Sequence, residues 1–225
     1  MTFSIAARCA RTGAFGIAVS SSSPAVAARC AHARAGVGVV ATQNITDPRL
    51  GPQGLDLLAA GVSAAAALER LRATAPHIEY RQLLLVDRAG RTAWFSGERT
   101  LGRYGAAAAQ DVVAAGNLLA DEAVPGRMVE AFQGLLEESL GVRLLAAMRA
   151  GLDAGGEAGA VHSAGLLIVR DVPWPVADLR VDWDDSDPIG ALQRLWAIWV
   201  PQMDSYVTRA LDPGAAPAYG VPGDE

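Results

Sequence analysis

Lysine is absent from this chain: all 19 basic residues are arginine. That excludes a lysine Schiff base, a lysine general base and the phosphate-binding lysine of a P-loop. Cysteine is nearly absent too, with only Cys9 and Cys30, so no disulfide framework is expected and reduced thiols in a cytoplasmic protein are the default. The opening MTFSIAARCARTG lacks the basic, apolar and small-residue regions of an export signal, which points the same way. No apolar run approaches the roughly 18 residues of a membrane span, and the stretch 164–169 is interrupted by Gly165, so no membrane partner is expected. His32, His77 and His162 are scattered without His-x-x-x-His or Cys-x-x-Cys spacing, so no metal site is predicted. Gly36-Val37-Gly38 lacks the remaining residues of a Rossmann or Walker motif, and no cofactor is expected.

What is present is the composition of a packed globular protein. Of 225 residues, 51% are hydrophobic and 19% charged, enough apolar material for a core without staples. The net charge of -5 repels phosphate backbones, so nucleic acid is not an expected partner.

Apolar or alternating runs at 3–8 and 15–20, separated by Arg11-Thr12-Gly13, predict an N-terminal strand pair, and the β-branched run 37–43 predicts a third strand. Residues 53–60 and 63–75 read as a helix pair, with Ser63 as an N-cap. Residues 79–86 and 91–95, joined by Asp87-Arg88-Ala89-Gly90, read as a β-hairpin, and 112–119 as another buried strand. A second helix pair is predicted at 124–136 and 139–152, ended by Gly155-Gly156, then strands at 164–170 and 177–183. A last helix opens at Asp187-Pro188 and runs to Leu211. Leu192, Leu195, Trp196 and Trp199 share one face of it; the tryptophans read as core or subunit-contact residues, and a homo-oligomer is expected.

Strands and helices in blocks suit antiparallel sheets with helices layered outside. The expected fold is a four-layer αββα sandwich formed by one domain over 1–212, followed by a loose Gly/Pro/Ala-rich tail at 213–225. The acidic cluster Asp182, Asp184, Asp185 and Asp187 lacks an EF-hand's pattern and reads as a solvated loop capping the last helix.

Thr2 is the first chemical candidate. A small residue after Met1 permits removal of the initiator, which would put a hydroxyl and a free α-amine on one residue, a nucleophile with its own base. The plain alternative is ordinary N-terminal sequence.

The runs MTFSIAAR, AGVGVVATQ with GPQGLDLLAAG, RQLLLVDRAGR, Gly116-Asn117-Leu118-Leu119, HSAGLLIVR and VADLRVD followed by Asp187-Pro188 resemble, in order, the bacterial family named domain of unknown function 1028. The resemblance covers about residues 1 to 200 and implies an N-terminal nucleophile (Ntn) hydrolase-like fold. It makes Thr2 the nucleophile and its α-amine the base, and places Asn117 where an amide N–H could stabilise an oxyanion. Asn117 could equally satisfy turn backbone. Ser20 and Ser21 fall where such hydrolases orient the nucleophile, or belong to a plain serine loop. Gln43 would end the third strand facing a substrate carbonyl, or be a structural buried amide. Arg81 and Gln82 open a strand whose alternation sends neighbours to opposite faces. Arg81 could clamp a substrate carboxylate, or pair on the surface with Glu79 or Asp87. Ser163 resembles a family serine that lines the pocket, or simply enters a strand. A serine hydrolase built on His162 and Ser163 is disfavoured because adjacent strand residues point apart.

The expected function is cleavage of a C–N amide bond in a small metabolite through an acyl-enzyme, and the alternative is a non-catalytic ligand-binding or assembly module on the same scaffold.

Overall fold

The computed structural model describes residues 1–222. Ten strands form two antiparallel sheets: β1 (Thr2–Arg8), β2 (Phe15–Ser21), β3 (Ala31–Arg34), β4 (Gly38–Asn44), β5 (Arg81–Asp87), β6 (Thr92–Ser96), β7 (Gly105–Ala109), β8 (Val112–Asn117), β9 (Ser163–Val169) and β10 (Ala177–Val181). The helices are the short α1 (Ala27–Cys30), α2 (Leu50–Ala59), α3 (Ala64–Thr74), α4 (Val124–Gln133), α5 (Leu140–Asp153) and α6 (Pro188–Leu211). One sheet has the order β10-β9-β2-β1-β8-β7 and the other β3-β4-β5-β6.

Strand alternation sorts the side chains into layers. Phe3 and Ile5 of β1 point outward into a core shared with Met128, Phe132, Leu144 and Met148 of α4 and α5. In the second sheet, Val40, Leu83 and Leu85 point outward against Leu55, Leu58, Leu68 and Leu71 of α2 and α3. Their neighbours of opposite parity, among them Ala6, Ile17, Ala41, Leu84, Val113 and Ala115, fill the space between the sheets. The layers therefore run helices, sheet, sheet, helices, the αββα arrangement expected.

Local signals fix the ends of several elements. Ser63 Oγ accepts the Ala66 N–H at the start of α3. Asp187 accepts the Gly190 N–H at the start of α6 and is held by Arg149, which gives one member of the acidic cluster its capping role. In the β5–β6 hairpin, Asp87 accepts from Ala89 N, Arg91 N and Arg91 Nε and also caps α3 through Ala64 N. Burial acts to raise the Asp87 pKa, but these donors outweigh it and hold the carboxyl below its ordinary value.

Two strands were not legible in the sequence. β3 (AHAR) pairs along β4, and β7 (GAAAA) reads as helix-forming yet pairs with β8. The strand expected over 112–119 stops at Asn117 because Leu118 turns to a positive φ of 50°. Within the expected tail 213–225, Pro213–Ala215 form a 3-10 turn and the Arg209 guanidinium lies 3.8 Å from the Tyr219 ring centroid; residues 223–225 lie outside the described residues. No helix among the described residues is long and apolar enough to cross a membrane.

Candidate active site

The first sheet carries a row of polar residues across one end. Asn117 on β8 pairs with Thr2 on β1, the Thr2 and Ser21 hydroxyl oxygens lie 3.5 Å apart, and Ser21 on β2 pairs with Ser163 on β9. The parity that sends Ala6 and Val113 between the sheets sends Thr2 and Asn117 there too. A shorter row faces them from the second sheet, where Gln43, Gln82 and Ser96 are register partners on β4, β5 and β6.

Hydrogen bonds join the two rows in both directions. Gln43 Nε2 donates to the Ala115 carbonyl and Gln82 Nε2 to the Gly116 carbonyl. A backbone carbonyl only accepts, so both glutamine amides have a fixed orientation. Ser4 Oγ then donates to Gln43 Oε1 at 2.6 Å, while Gln82 Oε1 accepts from Gln43 Nε2 at 2.7 Å and Asn117 Nδ2 at 3.2 Å. Ser96 Oγ accepts from Gln82 Nε2. The chain of bonds ends at Asn117, whose Oδ1 is buried without a hydrogen-bond partner. Ser4, Gln43, Gln82 and Asn117 are all fully buried. An unpaired buried acceptor costs about 1–3 kcal/mol, so the Asn117 oxygen beside Thr2 marks a position shaped for a donor.

Met1 covers this end of the sheet. Its carbonyl accepts hydrogen bonds from the hydroxyls of both Thr2 and Ser21, and Ser21 Oγ itself accepts from Ser23 N. With Met1 in place Thr2 is 5% exposed. The Met1 carbonyl oxygen thus lies where two hydroxyls donate to it, a place that a substrate oxygen could also take.

Glu157 closes the site from above. It forms an isolated bridge with Leu119, just beyond β8, and its carboxylate oxygens both lie 3.2 Å from Ser22 N, just beyond β2. It therefore crosses the end of β1. Burial pushes its carboxyl up to about 7 against the opposing pull of the chain's terminal amine and of Ser22. Among the described residues, no group of three or more His, Cys, Asp or Glu is placed to hold a metal ion.

The remaining candidates divide by strand face. Ser21 and Gln43 join the arrangement. Ser20 has the parity of Ala18, which faces the α4–α5 layer, and its hydroxyl donates to the Ser163 carbonyl. Ser163 Oγ accepts from Val26 N and donates to the Ser23 carbonyl, so it fixes the loop after β2. Arg81 lies on the face turned toward α2 and α3 and donates to the Ile45 carbonyl; the structure brings neither Ser20 nor Arg81 to Thr2. His162 stacks on Trp183 with ring centroids 4.4 Å apart.

A match to the model of a family of unknown function, DUF1028, spans residues 2–192. The chain belongs to this family. Among solved structures, the DUF1028 protein SPO2555 from Silicibacter pomeroyi is 31% identical, with 88% of each chain covered and a TM-score of 0.81. Anbu (ancestral beta-subunit) from Yersinia bercovieri is 12% identical over 91% of this chain and 97% of its own, with a TM-score of 0.43. The search among curated proteins gives no match.

Four residues of the DUF1028 chain's site, Ser4, Gln82, Ser96 and Glu157, were not singled out by sequence reasoning as site residues. Alternation confined Arg81 and Gln82 to opposite faces, and Gln82 takes the inner one. Ser4 repeats the parity of Thr2 two residues on, a signal that was available. Glu157 lies in the run GAGGEAGA, which reads only as a helix stop. A groove of about 710 Å³ between α2 and α3, lined by Arg49, Leu50, Arg70 and Leu71 among others, reaches neither polar row. The polar groups gather instead at the sandwich end, where hydroxyls, an unpartnered amide oxygen and a buried carboxyl converge.

Proposed function

We propose that this protein is an amide hydrolase whose nucleophile is Thr2, exposed by removal of Met1. The observation that carries the reading is the position of the Met1 carbonyl, which receives the Thr2 and Ser21 hydroxyls at the entrance of β1. Once Met1 is gone, a substrate carbonyl oxygen that comes to the place of the Met1 oxygen meets the Ser21 hydroxyl as a donor, with the freed Thr2 hydroxyl beside it. The Thr2 hydroxyl attacks, and its proton passes to the α-amine, which has an ordinary pKa of about 7.7–8.0. The tetrahedral oxyanion takes the Ser21 O–H and the Nδ2 hydrogen of Asn117 not given to Gln82. The intermediate collapses as the ammonium protonates the leaving nitrogen, which departs as an amine and leaves an ester on Thr2. Water, deprotonated by the same amine, hydrolyses the ester to release a carboxylic acid and restore the hydroxyl.

The substrate class is a small amide, processed in the cytoplasm without a cofactor. The test is intact mass of the purified protein, then treatment with a panel of β-lactones. The reading expects loss of Met1 and an ester adduct on Thr2 that Thr2→Ala abolishes. Retention of Met1, or an adduct yield equal in the variant, overturns it.

The closure of Thr2 under Met1, at 5% exposure, favours a second reading, a non-catalytic ligand-binding or assembly module. That reading expects Met1 to be retained and no hydrolysis product across an amide panel. Homo-oligomerisation through the exposed Leu195 and Ile198 of α6 is compatible with both and is read by light scattering.

A further inference from the structure

We infer that Glu157 is the positioning residue for the α-amine of Thr2: once Met1 is gone, the Glu157 carboxylate and the unpartnered Asn117 Oδ1 accept the amine's N–H bonds and hold it against the hydroxyl. The inference rests on the reading of Thr2 as nucleophile and deepens it.

Three observations support the assignment. The first is placement. Thr2 lies between Asn117 on β8 and Ser21 on β2, so the chain just before it passes between Leu118 and Ser22. Glu157 bridges Leu119 on one side and takes the Ser22 N–H on the other, which sets it across that passage. The second is charge. The terminal amine of Met1 already acts on the Glu157 carboxyl, favouring its ionised form against burial. Cleavage moves the amine inward by one residue, about 3.5 Å along the backbone. The third is the orphan acceptor. The amide orientation imposed through Gln82 leaves Asn117 Oδ1 without a donor next to Thr2. An ammonium has three hydrogens: two serve these acceptors, and the third faces the Thr2 hydroxyl, where the neutral amine has its lone pair.

Other charged groups near this end are engaged elsewhere. Arg103 donates to the Ala120 carbonyl, and the His162 ring, whose Nδ1 is buried without a hydrogen-bond partner, stacks on Trp183. Glu157 is therefore the carboxylate available to the amine among the described residues that pack against it, and burial makes the pairing strong by keeping water from screening it.

The lack of lysine makes a direct test available. Without lysine the α-amine is the one primary amine of this sequence, so a short acetic anhydride pulse, followed by hydroxylamine to strip esters from Thr2 and Ser4 hydroxyls and read by mass on the N-terminal peptide, reports on it. Protein shown by intact mass to begin at Thr2 is pulsed from about pH 5 to pH 10, a range spanning the ordinary α-amine value. A paired carboxylate favours the ammonium form, so the native amine should titrate above the same amine in urea-unfolded chain. Glu157→Gln should raise labelling at pH 7 by about tenfold, the equivalent of one pKa unit, and Glu157→Asp should restore part of the protection. A merely structural role would change thermal stability without moving this profile. Coincident profiles for the native chain and Glu157→Gln overturn the assignment, as does a native amine that titrates at or below the unfolded one should the variant fail to fold. Retained Met1 removes the nucleophile reading and the Glu157 assignment together. A Thr2 adduct with unmoved amine profiles removes only the latter.

Discussion

The two ends of the space between the sheets are built from the same strands and differ in kind. Toward one end, Ile17, Leu84, Val86 and Val113 pack as an apolar filling. At the other, the same faces of β1, β4, β5 and β8 carry Thr2, Ser4, Gln43, Gln82 and Asn117, all buried. Apolar residues of similar volume could fill that end without desolvating five polar side chains, and burial of such groups stabilises little even when they are fully paired. The polar end is also where pairing is left incomplete, at Asn117. A region that departs from the packing rule kept by the rest of its own strands is the expected signature of a site.

The sharpest way to break the comparison is at Thr2. Thr2→Ala should lower amide hydrolysis by at least about 10³-fold, as loss of a covalent nucleophile does, with a melting temperature close to native. Leu84→Ala, at the apolar end, should cost about 2–5 kcal/mol in urea unfolding while β-lactone adduct yield per folded molecule is unchanged. Gln82→Ala strips partners from Gly116 O, Ser96 Oγ, Gln43 Nε2 and Asn117 Nδ2. It should lose about 3 kcal/mol by the same measurement and lower adduct yield as well, because the Asn117 amide is no longer oriented.

Glu157 sets a pH dependence with a definite sign. Its carboxyl is raised from 4.5 to about 7 in the folded chain, so between those values the folded state binds more protons than the unfolded one. In the chain that retains Met1, stability should therefore fall as pH rises through this window, by roughly 3 kcal/mol in all, and level off above it; removal of Met1, which brings the amine closer, should shrink the effect. Glu157→Gln should flatten the curve, as read by melting temperature against pH. The smallest effect is expected at Arg81, which faces the helix layer. Arg81→Ala should cost under about 1 kcal/mol and leave adduct formation untouched; a large loss of adduct would return Arg81 to the site.

The fold was legible because alternation and turn chemistry agreed along most of the chain, as at Asp87-Arg88-Ala89-Gly90, where four donors converge on one carboxylate. β7 escaped because four alanines favour a helix in isolation, and pairing with β8 overrides that preference. At the site, Thr2 could be named from its place after Met1, Ser21 and Gln43 from their places at strand ends together with the family resemblance, and Asn117 from that resemblance. The choice between Arg81 and Gln82 could not be made locally, because alternation separates two faces without saying which is inner. The packing of Leu84 and Val86 against the first sheet decides it. Glu157 left no trace because its position depends on backbone pairing with residues nearly 40 positions earlier.

The entrance of β1 has a practical corollary for anyone producing this protein. The strand begins at Thr2, hemmed by β8 and β2 and roofed by Glu157, so any affinity peptide fused ahead of it must thread the same slot. Such a fusion should be catalytically silent however well it folds. Assays are best run on material carrying its purification handle at the carboxyl end, or on a fusion trimmed by a protease that leaves a bare threonine.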